Sequence, residues 1–359
     1  MRYPFKTILT SAVLAGILGL LFLGTGAVMY GRTGGTELAE RLGVPRPAII
    51  AHRGASYLAP EETAPAYLLA REMGVDYLEL DLQRTKDGVL IALHDDDLRR
   101  TTNIAEVFPD RETDTVDKFT FAELQSLDAG NWFNIRFPDR ARPTFKNIRI
   151  LRLEDVIDIA EGGYQRPGLY LETKSARRFP GIERQLAEIL TTRGWIKPQR
   201  NGVAESPSAK RARVPASVIF QSFEPESLAR LKELAPQVPA VLLIDETMMR
   251  KDGWDVLLRK ATQLGAGIGT WGYQWSQDPE WSIKDAPRRY LTTWPWYTGQ
   301  AHRAGLLVHP WTIDNRWEMW MVSLFGADGI FTNRSDLALL FYGRADHIDL
   351  KPIWERIGY

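Results

Sequence analysis

The chain has 359 residues, of which 44% are hydrophobic and 25% charged, the balance of a folded protein long enough for one large domain or two ordinary ones. Its 45 Lys and Arg offset 45 Asp and Glu, so no global field draws nucleic acid or an anionic surface, and a charged ligand must be held by local groups. The absence of cysteine excludes disulfides, thiolate zinc sites and a lipid-modified N-terminal cysteine.

The first predicted element is apolar. Arg2 and Lys6 precede a charge-free stretch from Thr7 to Tyr30, which as a helix spans the ~30 Å apolar core of a bilayer. Positive residues ahead of such a helix favour an N-terminus left in the cytoplasm. Residues 1–35 are therefore expected to form a transmembrane anchor, or a cleaved signal segment, with the remainder outside the cytoplasm, periplasmic or extracellular.

From residue 46 onward nine short apolar runs follow: "AIIAHR", "YLELDL", "VLIALHD", "GLYLETK", "SVIFQSF", "AVLLID", "GAGIGT", "GLLVHPW" and "GIFTN". Consecutive apolar positions suit strands buried on both faces, and amphipathic stretches such as 181–194 and 224–235 separate most of them. This βα alternation predicts an α/β fold, a TIM (β/α)8 barrel over residues 46–345, with a doubly wound open sheet as the alternative. Three stretches depart from it. The second and third strands are joined only by "QRTKDG", a tight-turn signal expected to bring Asp81 opposite His94. Residues 97–150 form a long polar insertion, expected to be a small subdomain over one end. Residues 196–217, rich in Pro, Ser and basic side chains, read as a mobile surface loop.

The chemistry-bearing residues fall at strand ends, where a barrel of this kind collects its catalytic groups. His52 and Arg53 end the first strand, Glu79 and Asp81 lie in the second, His94 and Asp95 end the third, and Glu172 and Lys174 end the fourth. A strand-end histidine commonly serves packing and a strand glutamate an ion pair. Convergence of these residues at successive strand ends points instead to a site. Glu79 and Asp81, at alternate positions, face one side of their strand, and with Glu172 they suit a divalent cation that takes hard oxygen ligands, calcium or magnesium. Arg53 and Lys174 could hold a phosphate bridging to it, and two histidines could move protons on either side of a phosphorus centre.

The stretches "AHRGASYLAPEETAPAY", "DYLELDLQRTKDGVLIALHDDDLRRTTN" and "LYLETK", with later blocks including "FQSFEPESLARLK", "PWTIDN" and "GADGIFTNRSD", resemble the glycerophosphodiester phosphodiesterase family over about residues 48–340. The resemblance implies a TIM-type barrel with an inserted subdomain and hydrolysis of glycerophosphodiesters to glycerol 3-phosphate and an alcohol. It makes His52 and His94 the acid/base pair, Glu79, Asp81 and Glu172 the metal ligands, and Arg53 and Lys174 the phosphate holders, with Trp311 lining the substrate side and Glu61 supporting the site. Where the family usually has Asn, this chain has Glu62, read as a solvent-exposed side chain or one that alters metal preference. Eight of the twelve tryptophans fall between Trp271 and Trp320, which suits loop packing or an aromatic rim that meets a lipid tail or bilayer interface. Two rival functions are a lysophospholipase D-type activity on acylated substrates and a membrane-anchored phospholipid-binding module without turnover.

Overall fold

The structure, a computed structural model, describes residues 34–197, 211–271 and 293–359. The anchor expected over 1–35 falls on residues 1–33, outside the described residues, as do the centre of the loop expected at 196–217 and Trp275 and Trp281. Among the described residues no helix is long and apolar enough to cross a membrane.

Among the described residues eight strands form: β1 (Ala48–Ala51), β2 (Tyr77–Arg84), β3 (Leu90–Ala92), β4 (Gly168–Thr173), β5 (Val218–Ser222), β6 (Ala240–Ile244), β7 (Ala266–Thr270) and β8 (Gly329–Thr332). The order β7-β6-β5-β4-β2-β1-β8 is parallel throughout. β3 lies off this path, antiparallel to β2, the hairpin that the tight-turn signal "QRTKDG" predicts, so the third run is not a stave. The cause is the connection. Thr85 N–H bonds the Val89 carbonyl at 3.0 Å and Gly88 takes φ 88°, a turn too short for the crossover that a parallel neighbour requires. The register is one residue off expectation, because Leu93, not His94, bonds the Asp81 carbonyl.

The eighth run supplies the missing stave. On one side Ile268, His309 and Trp311 N–H groups bond Leu307, Ile268 and Thr270 carbonyls at 2.7, 2.9 and 2.9 Å. On the other, Asp328 and Phe331 N–H groups bond Val308 and Pro310 carbonyls at 2.9 and 3.0 Å. Pro310 has no N–H to give, so the pairing consists of isolated bridges instead of a continuous ladder. Eight parallel staves thus close a TIM-type barrel, and the open-sheet alternative falls.

The insertion over 97–150 builds short helical pieces of three to six residues, which is why no long helical period is visible in it. Phe119, Leu124, Leu127, Phe133 and Phe145 give it an apolar centre. Phe145 packs against Trp354 of the C-terminal helix Leu350–Ile357 at 5.7 Å, which ties the insertion to the barrel's outer layer.

Candidate active site

The inward positions of β2 and β4 carry acids where most barrel strands carry aliphatics. Asp81 stands opposite Glu172, and Glu172 opposite Gln221 of β5. Glu79, one inward position below Asp81, accepts the Gln221 amide at 2.8 Å and the Arg53 backbone N–H at 2.8 Å. All three carboxylates are buried, and each offers an oxygen within 4.8 Å of the others. Arg53 reaches this cluster because its φ of 56°, followed by Gly54 at 83°, turns the chain sharply at the end of β1. A Cβ on Gly54 would lie 2.7 Å from the Ala66 backbone, so only glycine fits that turn.

Two cations serve the cluster. Arg53 Nη1 donates to Glu61 at 2.9 Å and its Nε lies 3.1 Å from Asp81 Oδ2, while Lys174 Nζ lies 3.4 Å from Asp81 and 3.3 Å from Glu172. Burial would raise the Asp81 carboxyl, but Lys174, His94 and Arg53 outweigh it and hold the group well below the usual carboxylate range. For Glu79, burial and then Asp81 prevail and push it well up. Burial likewise carries Glu172 to about 8 against the pull of Lys174. Two raised acids beside an ionised one are what a missing positive charge produces. Asp81 Oδ2 is buried without a well-directed hydrogen bond. Buried hard oxygen donors with this charge deficit fit one divalent cation.

The histidines close the site with unlike partners. His52 Nδ1 lies 2.8 Å from Asn333 Oδ1. Asn333 donates its side-chain amide to Asp314 Oδ2 at 2.7 Å and its backbone N–H to Asp314 Oδ1 at 2.8 Å, so its oxygen must face the ring. Nδ1 is therefore the donor, and the lone pair of the neutral ring is at Nε2. Burial, reinforced by Arg53, pushes His52 down to about 3, which keeps the ring neutral. His94 Nδ1 instead contacts Asp95 Oδ1 at 2.6 Å. Asp95 Oδ2 receives Arg100 Nε at 2.5 Å, and the Arg100 fork grips Glu61 at 2.8 and 2.6 Å. Arg100 belongs to the insertion, so the insertion completes a chain from His94 through Glu61 to Arg53.

Trp311 ends the bridging stave. Its indole N–H bonds the Gly269 carbonyl at 3.1 Å, and its ring meets Phe223 edge-on at 5.6 Å. Lys174 Nζ lies 5.8 Å from that Phe223 ring, which places an aromatic wall beside the cationic side of the site.

Glu62 corrects its reading as an exposed side chain: it is 4% exposed. Oε1 accepts the Asp81 backbone N–H at 3.0 Å and the other oxygen meets the buried Tyr67 hydroxyl. Burial, then Asp81 and Glu79, raise it well above the usual range.

The structure thus brings together His52, Arg53, Glu61, Glu79, Asp81, His94, Glu172, Lys174 and Trp311. It adds Arg100, Gln221, Phe223, Asp314 and Asn333. Gln221 had a signal, a lone amide inside the apolar run "VIFQ", whereas Arg100 had none because its reach depends on how the insertion folds.

These groups define the class, an α/β-barrel hydrolase with an acid triad, two cations and two histidines at one mouth, the equipment for cleaving a phosphodiester. The sequence profile of the glycerophosphoryl diester phosphodiesterase family matches residues 52–337, and the chain belongs to that family. It is 32% identical over 320 residues to the glycerophosphodiester phosphodiesterase of Bacillus subtilis (strain 168), covering 89% of this chain and 94% of that protein. The crystal structure of a glycerophosphodiester phosphodiesterase from Agrobacterium tumefaciens matches with a TM-score of 0.55 at 25% identity, covering 81% of this chain and 98% of that one. An Oleispira antarctica phosphodiesterase, solved in complex with the product sn-glycerol-3-phosphate, shares the fold at 21% identity with a TM-score of 0.56, covering 83% and 97%.

Proposed function

We propose that the chain hydrolyses water-soluble glycerophosphodiesters to sn-glycerol 3-phosphate and an alcohol, with one divalent cation, Ca2+ or Mg2+. The observation that carries this reading is the pair of histidines with unlike partners beside one buried acid triad. Glu79, Asp81 and Glu172 would hold the cation, which when bound supplies positive charge to the non-bridging phosphate oxygens. Arg53 and Lys174 hold the phosphate from the ends of β1 and β4. His52, with its Nε2 lone pair, accepts the proton of the attacking hydroxyl, from water or from the neighbouring glycerol. His94, with the Asp95 carboxylate behind it, gives its Nε2 proton to the leaving alkoxide as the phosphorus–oxygen bond breaks. Glu61 fixes Arg53, and Trp311 with Phe223 covers the substrate's apolar side.

The test is release of glycerol 3-phosphate from glycerophosphocholine and from its acylated counterpart, with chelator and after restoring calcium or magnesium. We expect turnover of the unacylated compound, lost with chelator and regained with either ion. Chelator-resistant turnover removes the cation from the mechanism. Reaction of the acylated compound alone makes the enzyme a lysophospholipase D type, and no reaction with either makes it a phospholipid-binding module.

The charge-free stretch Thr7–Tyr30 behind Arg2 and Lys6 supports a membrane-anchored enzyme with its barrel outside the cytoplasm. Protease added to intact cells should then cleave the barrel domain, and full protection places it inside.

A further inference from the structure

Beyond its first residue, the exposed Arg316, the helix Arg316–Leu324 is apolar on both sides. Its inner face buries Met319 and Val322, and its one carboxylate, Glu318, is buried as well, accepting the Asp314 N–H at 3.2 Å. Its outer face carries Trp317, Trp320, Met321 and Leu324, at spacings of three and four. Trp317 and Trp320 are 60% and 47% exposed and stack on each other at 5.1 Å. By contrast, the outer helix Pro225–Leu234 turns Glu226, Arg230 and Glu233 to solvent. After Arg316 this helix turns no charged side chain to solvent, and an outer face so apolar normally lies against a second apolar phase. The surface continues beyond its end. Phe325, the C-cap, stacks with the half-exposed Trp294 at 5.8 Å, and Trp296, two residues on, is 64% exposed. Four large exposed aromatics in one region exceed the scatter of an ordinary surface.

The entry point of the chain says what covers this surface. Gly35 lies against Asp328 and His302, where a Cβ would meet Asp328 Oδ1 at 1.8 Å and His302 Nε2 at 2.9 Å. His302 belongs to the helix Pro295–Arg303 that Trp294 caps and whose first turn holds Trp296, and Asp328 lies three residues beyond Phe325. The charge-free stretch Thr7–Tyr30 therefore joins the folded unit beside the two helices that carry the tryptophans. Tryptophan is the side chain that prefers the boundary between water and lipid.

We propose that the surface formed by Trp294, Trp296, Trp317 and Trp320 seats in the headgroup layer of a phospholipid bilayer, laying the barrel against the membrane. The proposal builds on the anchored reading but makes a separate demand, contact between the barrel and lipid.

Residues 1–33 contain no tryptophan, so tryptophan fluorescence reports on the barrel alone. The full-length chain is reconstituted into phosphatidylcholine vesicles whose acyl chains carry bromine near the headgroup, beside unlabelled vesicles. Quenching is expected in the wild type. In the triple variant Trp296→Ser, Trp317→Ser, Trp320→Ser most of it should be lost, while turnover of dissolved glycerophosphocholine, the check on folding, stays at the wild-type rate. Absence of quenching overturns the proposal, and co-sedimentation with vesicles in that case leaves the anchor standing. Quenching equal in wild type and variant also overturns it. So does a dimer that the triple variant dissociates, since a second copy then covers the surface.

Discussion

Asp81 and Glu172 face each other across adjacent parallel strands, with Lys174 Nζ 3.4 Å from one and 3.3 Å from the other. Glu79, one inward position below Asp81 on β2, is held by the Gln221 amide and the Arg53 backbone N–H. One ammonium and one guanidinium, the latter shared with Glu61, face three buried carboxyls, so the cluster is short of positive charge, and a divalent cation would relieve it.

The chelated protein should therefore lose stability as pH rises. Folded Glu172 keeps its proton up to about 8, whereas an unfolded glutamate releases it near 4.5. Across that window the unfolded state binds fewer protons, so stability is greatest at the acidic end and declines toward the alkaline end. Thermal unfolding with chelator should show a Tm falling through this range, and saturating calcium or magnesium should flatten the fall. Glu172→Gln, in chelator, should decline less than wild type. A chelated wild type whose Tm is level across the window would contradict the charge-deficit account.

The unlike partners of the histidines give a second expectation. Asn333→Ala removes the acceptor that fixes the His52 tautomer and should lower kcat by ~10²-fold with little change in KM, within the range assigned to acid–base groups. Asn333→Asp places a carboxylate behind the ring, which stabilises the imidazolium. The acidic limb of the kcat/KM profile should then move to higher pH. An unmoved limb in Asn333→Asp would show that His52 is not the titrating base.

His94 is only part-buried, its side chain 30% exposed, so its removal opens no cavity in the barrel's apolar core. His94→Ala should lower turnover by ~10²–10⁴-fold while the folded state, followed by circular dichroism and Tm, is retained. Wild-type rates in that variant would remove His94 from the proton transfer.

Much of this site is readable along the chain because β2 writes its two acids at alternate positions, and alternation fixes which side chains share the barrel interior. Glu79 and Asp81 follow from that rule, and Glu172 from its place at the end of the fourth apolar run. The third strand is legible only through the turn that precedes it. "VLIALHD" has the composition of a stave, and only the length of the turn before it, not its own pattern, makes it antiparallel. The bridging stave misleads, since Pro310 breaks its ladder but not its place in the barrel. Asn333 lies 281 positions beyond the His52 it orients, and Arg100 lies 39 beyond the Glu61 it grips, so tertiary closure alone brings them in. Glu62 is hidden by its charge, because two adjacent glutamates suggest solvent, and the φ of 59° that turns it inward is invisible until the chain is folded.

Glu62 yields the last expectation. It is held by the Asp81 N–H and the Tyr67 hydroxyl in surroundings that burial and the Asp81 and Glu79 charges make hostile to a further anion. Glutamine keeps the acceptor for Asp81 and can donate to the Tyr67 oxygen, and it has no proton to lose. Since the folded-state carboxyl is raised, wild type gives up stability as pH climbs above the ordinary 4.5, and Glu62→Gln does not. The variant should match wild type in acid and exceed it increasingly toward alkaline pH. Denaturant titrations at several pH values measure the difference. A variant that is less stable at every pH would mean that Glu62 is ionised in the fold and that Tyr67 and Asp81 hold it as an anion.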